Sequence, residues 1–351
     1  MKHRYSELAR FYQRGKQGGR LRVAFLGGSI TWGATASDPL KTSWRALVQE
    51  HFEKRFPNAH IKGIDAAIGG TPSELGVFRM DRDVLPHRPD LTFVEFSVND
   101  GDKPTSQETM EGIVRKLRKS NPRMAIVLVI IGGGYDYKGS RNREKHIELA
   151  DYYGLPYVDV CGAVEQKVRK GLDTRKILHD GCHPNDAGYR LYAEIIIRAL
   201  GRMNLEQGAL TAWPVKALTA NRYESASMVE LAKVADLGGW EPIVPAVVGT
   251  WFDHQPSRWF SSAVSPRKKN SRLALDLRCR GLGLYYQTVR DGGTIVLEAE
   301  GKPVIKVSTA MDMPEARVDF SIVMFEDSRK RRLRLVAGQC DKTTVAYLFY
   351  L

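Results

Sequence analysis

Short apolar runs alternate with stretches whose apolar positions recur at helical spacing through the first half of the chain. Residues 23–26 form the first run, which stops at Gly27-Gly28-Ser29. A buried strand that ends at a tight turn has this pattern. Thr42 or Ser43 can cap a helix through Trp44, Leu47, Val48, His51 and Phe52 that ends near Pro57. A second strand at 61–68 ends at Gly69-Gly70-Thr71, and a helix through Leu75, Val77, Phe78 and Val84 stops at Pro86. The third strand, 91–97, closes on Val98-Asn99-Asp100-Gly101, and a helix through Met110, Ile113, Val114 and Leu117 follows. The run 125–131 is apolar throughout, as in a parallel strand covered on both faces. A charged helix at 141–153, a fifth strand at 156–160 and a helix through Leu191, Ile195, Ile196 and Leu200 complete the series. Residues 1–20 look like a polar lead-in helix or arm. This alternation predicts a doubly wound parallel α/β sheet, flavodoxin-like, with strand order 2-1-3-4-5 and right-handed crossovers.

Beyond about residue 203 the texture changes. Residues 205–240 form a mixed connection with a helix expected near 227–234. From Pro242 onward short alternating runs dominate, at 273–277, 283–287, 294–299, 304–307, 318–324, 332–336 and 344–351. Turn sequences such as Asp291-Gly292-Gly293 and Glu300-Gly301-Lys302-Pro303 separate some of them, which predicts a jelly-roll-like β-sandwich. The expected domains are 1–204, a linker at 205–240, and 241–351.

The 351 residues suffice for two such domains. No apolar run approaches the roughly 20 residues that span a bilayer, so no membrane association is expected. Met1–Glu7 has no apolar leader, which points to a cytoplasmic protein, or a secreted one whose leader has been removed. The four cysteines (Cys161, Cys182, Cys279, Cys340) are widely spaced and match no zinc pattern, so free thiols and no metal or cofactor are expected. A net charge of +13 favours polyanions, but no nucleic-acid motif accompanies it, and a solvated basic surface is the simpler reading. A homo-oligomer is compatible with the chain.

Chemistry gathers at the strand ends. A serine hydroxyl at Ser29 becomes a nucleophile only when a base takes its proton. His183 suits that task because imidazole titrates near neutrality. Asp180, three positions earlier, can hold the other ring nitrogen. The Ser29 N–H, the Gly70 N–H and the Asn99 amide are the candidates to hold the oxyanion of a tetrahedral intermediate. The phosphate-loop and Gly-x-Ser-x-Gly patterns are both absent.

Taken together, these blocks resemble the SGNH or GDSL-type hydrolases. Gly27-Gly28-Ser29-Ile30-Thr31 is similar to their first block, with Gly28 where many members carry Asp. Ile68-Gly69-Gly70-Thr71 resembles the second, and Val98-Asn99-Asp100 the third, with Ser97 in place of its leading Gly. Asp180-Gly181-Cys182-His183-Pro184 matches the fifth, Asp-x-x-His. The resemblance spans roughly residues 20–203. It implies a flavodoxin-like fold, a metal-free mechanism and hydrolysis of ester bonds in carbohydrates, lipids or small esters, with deacetylation of a carbohydrate the preferred reading.

Other residues invite competing readings. Cys182 could be a thiol nucleophile, although a buried inert thiol is simpler. His179 reads as structural. Asp100 and Asp102 could form a glycosidase carboxylate pair, or be turn residues. The stretch Gly132-Gly133-Gly134-Tyr135-Asp136-Tyr137 could line the cleft. Trp32 could stack on sugar, although core packing is commoner for it and for Trp44. Trp251, Phe252, Trp259 and Phe260 could form a carbohydrate platform, with a core or interface role the commoner fate. Arg267-Lys268-Lys269 and Arg329-Lys330-Arg331-Arg332 read as exposed turns. The alternatives to an esterase are a glycan-binding protein on an inactive hydrolase scaffold and a glycoside-cleaving enzyme of the same fold.

Overall fold

The computed structural model describes all residues except 1–4, 102, 136, 138–141, 207, 246–258, 261, 313–315 and 340–341. Asp102, Asp136, Trp251, Phe252 and Cys340 lie outside the described residues. The chain divides into two compact units, Met1–Ser225 and Ala226–Leu351.

In the first unit five parallel strands, β1 (Arg20–Gly27), β2 (His60–Ala67), β3 (Leu91–Glu95), β4 (Ala125–Ile130) and β5 (Tyr157–Asp159), stand in the order β2-β1-β3-β4-β5. That is the order the alternation predicts. The helices are α1 (Ser6–Lys16), α2 (Ser29–Trp32), α3 (Trp44–Arg55), α4 (Ser73–Asp83), α5 (Ser106–Ser120), α6 (Arg143–Tyr153), α7 (Val160–Arg169) and α8 (Asp186–Arg202). Of the two candidate caps for α3, Ser43 is the one used: its side chain accepts the Ala46 N–H. Residues 6–16 are an integral helix, not an arm, because Leu8 and Phe11 are buried and Phe11 meets Phe52 edge-on at 5.1 Å. Helix α7 is not foreseen by the pattern; it starts where the Asp159 side chain accepts the Gly162 N–H. Every position of β3 and β4 is buried, as expected for strands covered on both faces.

The stretch 205–240 is shared between the units. Glu111 of α5 accepts the Leu218 and Thr219 N–H groups at 2.7 and 2.8 Å, and Glu108 pairs with Arg222 at 2.6 Å. These bonds hold residues up to Ser225 in the first unit. Beyond it, the helix expected near 227–234 is instead β6 (Ser227–Glu230), paired antiparallel with β13 (Thr344–Tyr350) and followed by a 3-10 turn. Pairing with an available strand edge here overrides local propensity.

The second unit is antiparallel and β-rich, as the alternation suggests. Its other strands are β7 (Trp240–Ile243), β8 (Ala263–Pro266), β9 (Arg272–Thr288), β10 (Thr294–Ala299), β11 (Lys302–Ser308) and β12 (Arg317–Gln339). Among the described residues they join into one curled eight-stranded sheet ordered β11-β10-β12-β9-β13-β8-β7, with β6 on β13. The expected pairs of short strands at 273–277 with 283–287, and at 318–324 with 332–336, are each one long strand. Strands β9 and β12 pair along their length, with a register shift between Met324 and Arg329. The inward positions of β9 change phase there, from Leu273 and Cys279 to Leu282, Leu284 and Tyr286, and such a bulge bends a sheet. Arg329-Lys330-Arg331-Arg332 is therefore strand, not turn. Arg331 is buried, donates to Cys279 O at 2.6 Å and lies over the Phe325 ring at 4.1 Å. Arg267-Lys268-Lys269 is an exposed turn, as expected. Trp259 and Phe260 are buried, with Phe260 edge-on to Tyr285 at 5.5 Å, so these two are core and not a platform.

Among the described residues no helix is long and apolar enough to cross a membrane.

Candidate active site

Sheet register decides where the polar strand ends meet. Gly27 of β1 stands opposite Ala67 of β2 and Glu95 of β3. Ser29, Gly70 and Asn99 follow these three partners, so they leave adjoining strands at the same carboxyl edge. In open α/β sheets that edge is where ligands bind.

Ser29 opens the short helix α2, with Gly28 as its extended N-cap residue and Gly33 left-handed at its end. A Cβ on Gly28 would stand 2.1 Å from Asn99 Oδ1, so the absence of a side chain at 28 is what lets the Asn99 amide lie beside the serine turn. Gly70 has φ +70°, in the left-handed region that favours glycine, and is exposed; a Cβ there would meet nothing within 4 Å. The Ser29 N–H belongs to the first turn of its helix, where N–H groups have no intrahelical acceptor.

His183 reaches this edge from the turn before α8. Its Nε2 lies 2.9 Å from Ser29 Oγ, and its Nδ1 lies 2.7 Å from Asp180 Oδ2. Asp180 can only accept when ionised, which puts the ring proton on Nδ1 and leaves Nε2 free to accept the serine hydroxyl. Burial acts to raise the Asp180 pKa, but the His183 N–H, the imidazole and the Cys182 N–H donate to the carboxylate and hold it below the usual range. The turn itself is fixed. Leu178 bridges Pro184, His179 N–H donates to His183 O at 2.8 Å, and Asn185 caps α8 by accepting the Gly188 N–H. His179 is exposed and contributes its backbone here, in keeping with a structural role.

A second set of bonds, not foreseen from the pattern, ties the serine turn to the histidine turn. Thr35 Oγ1 donates to Pro184 O at 2.8 Å, and Tyr189 OH donates to Ala34 O at 2.7 Å. Ser37 Oγ and Thr42 Oγ1 donate to Asp186 at 2.5 and 2.8 Å. Small hydroxyl residues just after a candidate nucleophile were the only signal for this strap. Glu95 was likewise unassigned; an acidic residue closing an otherwise apolar strand was its signal. It is buried and accepts from Thr31 Oγ1 at 2.9 Å.

The remaining candidates fall outside the chemistry. The Cys182 thiol is pushed up to about 11 by burial and by the nearby Asp180 and Glu95 charges, which removes the thiolate a cysteine nucleophile needs. Asp100 is buried, accepts the Ser73 N–H at 2.7 Å and faces His146 at 3.4 Å, so it is not offered to a glycosidic bond. Trp44 is core, stacked edge-on against Phe25, while Trp32 is half-buried. Of the cleft-loop tyrosines, Tyr137 is buried against Tyr192 at 2.9 Å. Tyr135 is half exposed; its ring lies against Gly181, between Asp180 and His183, and Gly134 N–H donates to Gly181 O at 2.7 Å. Among the described residues no group of three or more His, Cys, Asp or Glu side chains is placed to hold a metal ion.

Comparison with known proteins places this geometry in context. Residues 25–191 match the GDSL-like Lipase/Acylhydrolase family. A solved two-domain esterase active on acetylated mannans, crystallised with mannopentaose, is similar over 99% of this chain and 95% of its own, at 25% identity and a TM-score of 0.82. An acetylxylan esterase from Geobacillus stearothermophilus is similar over 52% of this chain and 94% of its own, at 22% identity and a TM-score of 0.41. No curated protein sequence matches the chain.

Proposed function

With residues 25–191 a domain of the GDSL-like lipase/acylhydrolase family, we propose that this serine ester hydrolase removes acetyl groups from a carbohydrate. The observation that carries the mechanism is the unbroken hydrogen-bonded chain from Asp180 through His183 to Ser29. The carbohydrate assignment is supported by likeness over nearly the whole chain to the esterase active on acetylated mannans.

In this reading Ser29 Oγ attacks the acetyl carbonyl while His183 Nε2 takes its proton. Asp180 holds the imidazole in the required tautomer and stabilises the imidazolium. The Ser29 and Gly70 N–H groups and the Asn99 amide receive the oxyanion. The imidazolium then protonates the leaving sugar hydroxyl, and an acetyl-serine remains. Water, deprotonated by the same imidazole, attacks that ester and releases acetate. The strap from Thr35, Ser37 and Thr42 to the histidine turn keeps nucleophile and base in register between the two halves of the cycle.

Acetate release from acetylated mannan, measured for the wild type and for Ser29→Ala, tests this. The wild type is expected to release acetate without shortening the polysaccharide, and the variant to fall by at least about 10³-fold. Equal rates for the two proteins, or chain cleavage in place of acetate release, would remove the proposal.

A further inference from the structure

The loop that leaves β4 carries an aromatic ring for which the cycle above has no use. Strand β4 runs parallel to β3, so this loop departs from the same carboxyl edge as Ser29, Gly70 and Asn99. Its two tyrosines have opposite fates. Tyr137 is buried, and its hydroxyl donates to Tyr192 OH at 2.9 Å. Tyr135 is 49% exposed, the most exposed aromatic side chain among the described residues. Its hydroxyl makes no hydrogen bond to any described residue. Packing therefore accounts for Tyr137 and not for Tyr135.

The open ring is nevertheless held in place. Gly134 N–H donates to Gly181 O at 2.7 Å, and Tyr137 N–H donates to Gly134 O at 2.9 Å. Thr174 Oγ1, on a buried residue, donates to Tyr135 O. Gly181 has φ +80°, and a Cβ there would stand 3.0 Å from Tyr135 Cε2. The glycine thus gives the turn its left-handed step and leaves room for the ring to rest on the backbone between Asp180 and His183. Two residues further on, His183 Nε2 lies 2.9 Å from Ser29 Oγ. The reaction sets which part of the substrate lies on this side. The acyl carbon sits at Ser29, and the sugar oxygen it leaves must lie near the imidazole that protonates it. A pyranose presents a face of slightly positive C–H groups, which complements the negative face of an aromatic ring. A ring already fixed in position loses little freedom when a ligand covers it.

We propose that Tyr135 is a specificity-determining residue: its ring, seated on Gly181, is the platform on which the sugar stacks while its acetyl group is presented to Ser29. This rests on the reading of Ser29 and His183 as the nucleophile and base of a carbohydrate esterase. Tyr135 takes no part in the proton transfers. It holds the sugar alike before and during the reaction, so its loss raises KM for a sugar ester and leaves kcat largely in place. An ester whose alcohol is too small to reach the ring gains nothing from it.

Acetate release from an acetylated manno-oligosaccharide and from ethyl acetate, measured for wild type, Tyr135→Phe, Tyr135→Leu and Tyr135→Ala, tests the proposal. The wild type is expected to prefer the oligosaccharide. The ratio of kcat/KM for the oligosaccharide to that for ethyl acetate should fall about 10-fold in the Ala variant, through KM. The Phe variant, which keeps the ring, should keep the ratio. The Leu variant, which keeps apolar bulk without a π face, should lose it as the Ala variant does, and it decides the matter if the Ala variant does not fold. A wild type without preference, a Leu variant that keeps the ratio, or variants in which both esters decline together would overturn the inference. The last result would mean that the ring merely walls the histidine turn. If the wild type hydrolyses neither ester, the esterase reading fails on its own, and calorimetric titration with the same oligosaccharide decides for Tyr135. Binding about 10-fold weaker in the Leu variant upholds the platform; equal binding, or none by the wild type, overturns it.

Discussion

In the parallel sheet β3 and β4 are buried at every position, whereas along the first half of β9 exposed Arg272, Ala274, Asp276, Arg278 and Arg280 alternate with inward-facing residues. The consequence is a different distribution of polar side chains. A strand covered on both faces tolerates polar groups mainly where it ends, so the first unit collects Ser29, Gly70, Asn99 and Glu95 at one edge. A strand with one wet face carries charge along its whole length, and facing alone decides whether a residue does anything. Lys330 and Arg331 are neighbours in β12, yet Lys330 pairs with Asp276 at the surface while Arg331 is buried against Cys279 and Phe325. Polar residues at the carboxyl edge of the first unit's sheet thus gather into one cluster, and those along β12 of the second serve solvation or a buried tie.

This contrast can be broken by substitution. The largest effect is expected at the base of the first unit. His183→Ala should lower kcat for acetate release by about 10³- to 10⁴-fold, and Asp180→Asn by a comparable factor, since the wrong tautomer then faces Ser29. Melting of these variants should stay near wild type, which separates chemistry from folding. Next comes Gly28→Ala. Its Cβ claims the space of Asn99 Oδ1, so displacement of the amide should lower kcat by about 10²- to 10³-fold. Because both changes act through one group, Gly28→Ala combined with Asn99→Ala should be hardly slower than Asn99→Ala alone; additive losses would show that Asn99 does not serve the site.

A smaller effect separates the faces of the second unit. Arg331→Met should lower stability by about 1–3 kcal/mol in urea unfolding, because the Cys279 carbonyl loses a charged donor. Lys330→Ala should change it by no more than about 1 kcal/mol. Neither should alter turnover, and equal losses at both positions would erase the distinction. The smallest effect belongs to Cys182→Ser. With the thiol at about 11, esterase activity and its resistance to alkylating agents near neutral pH should both persist.

Strand-helix alternation and glycine turns were legible because they depend on spacing within a few residues. That was enough for the order of the parallel sheet and for picking out Ser29, Gly70, Asn99, Asp180 and His183. The strand β6 and the long strands β9 and β12 were not, because pairing with distant strands and a bulge decided them. Helix α7 was missed although its Asp159 cap is local. The 227–234 segment reads as helix until β13 lies beside it.

By itself the sequence determined the periodicities, the turns and the residue types at each strand end, since backbone sterics and side-chain alternation act locally. Tertiary structure decided what required packing: a histidine brought across 154 positions to a serine hydroxyl, a thiol silenced by burial, an arginine turned inward, and a glutamate buried against Thr31 of the serine helix. The reason is physical. The charge state of a side chain and its reach to a partner depend on which atoms replace water around it, and those atoms come from elsewhere in the chain.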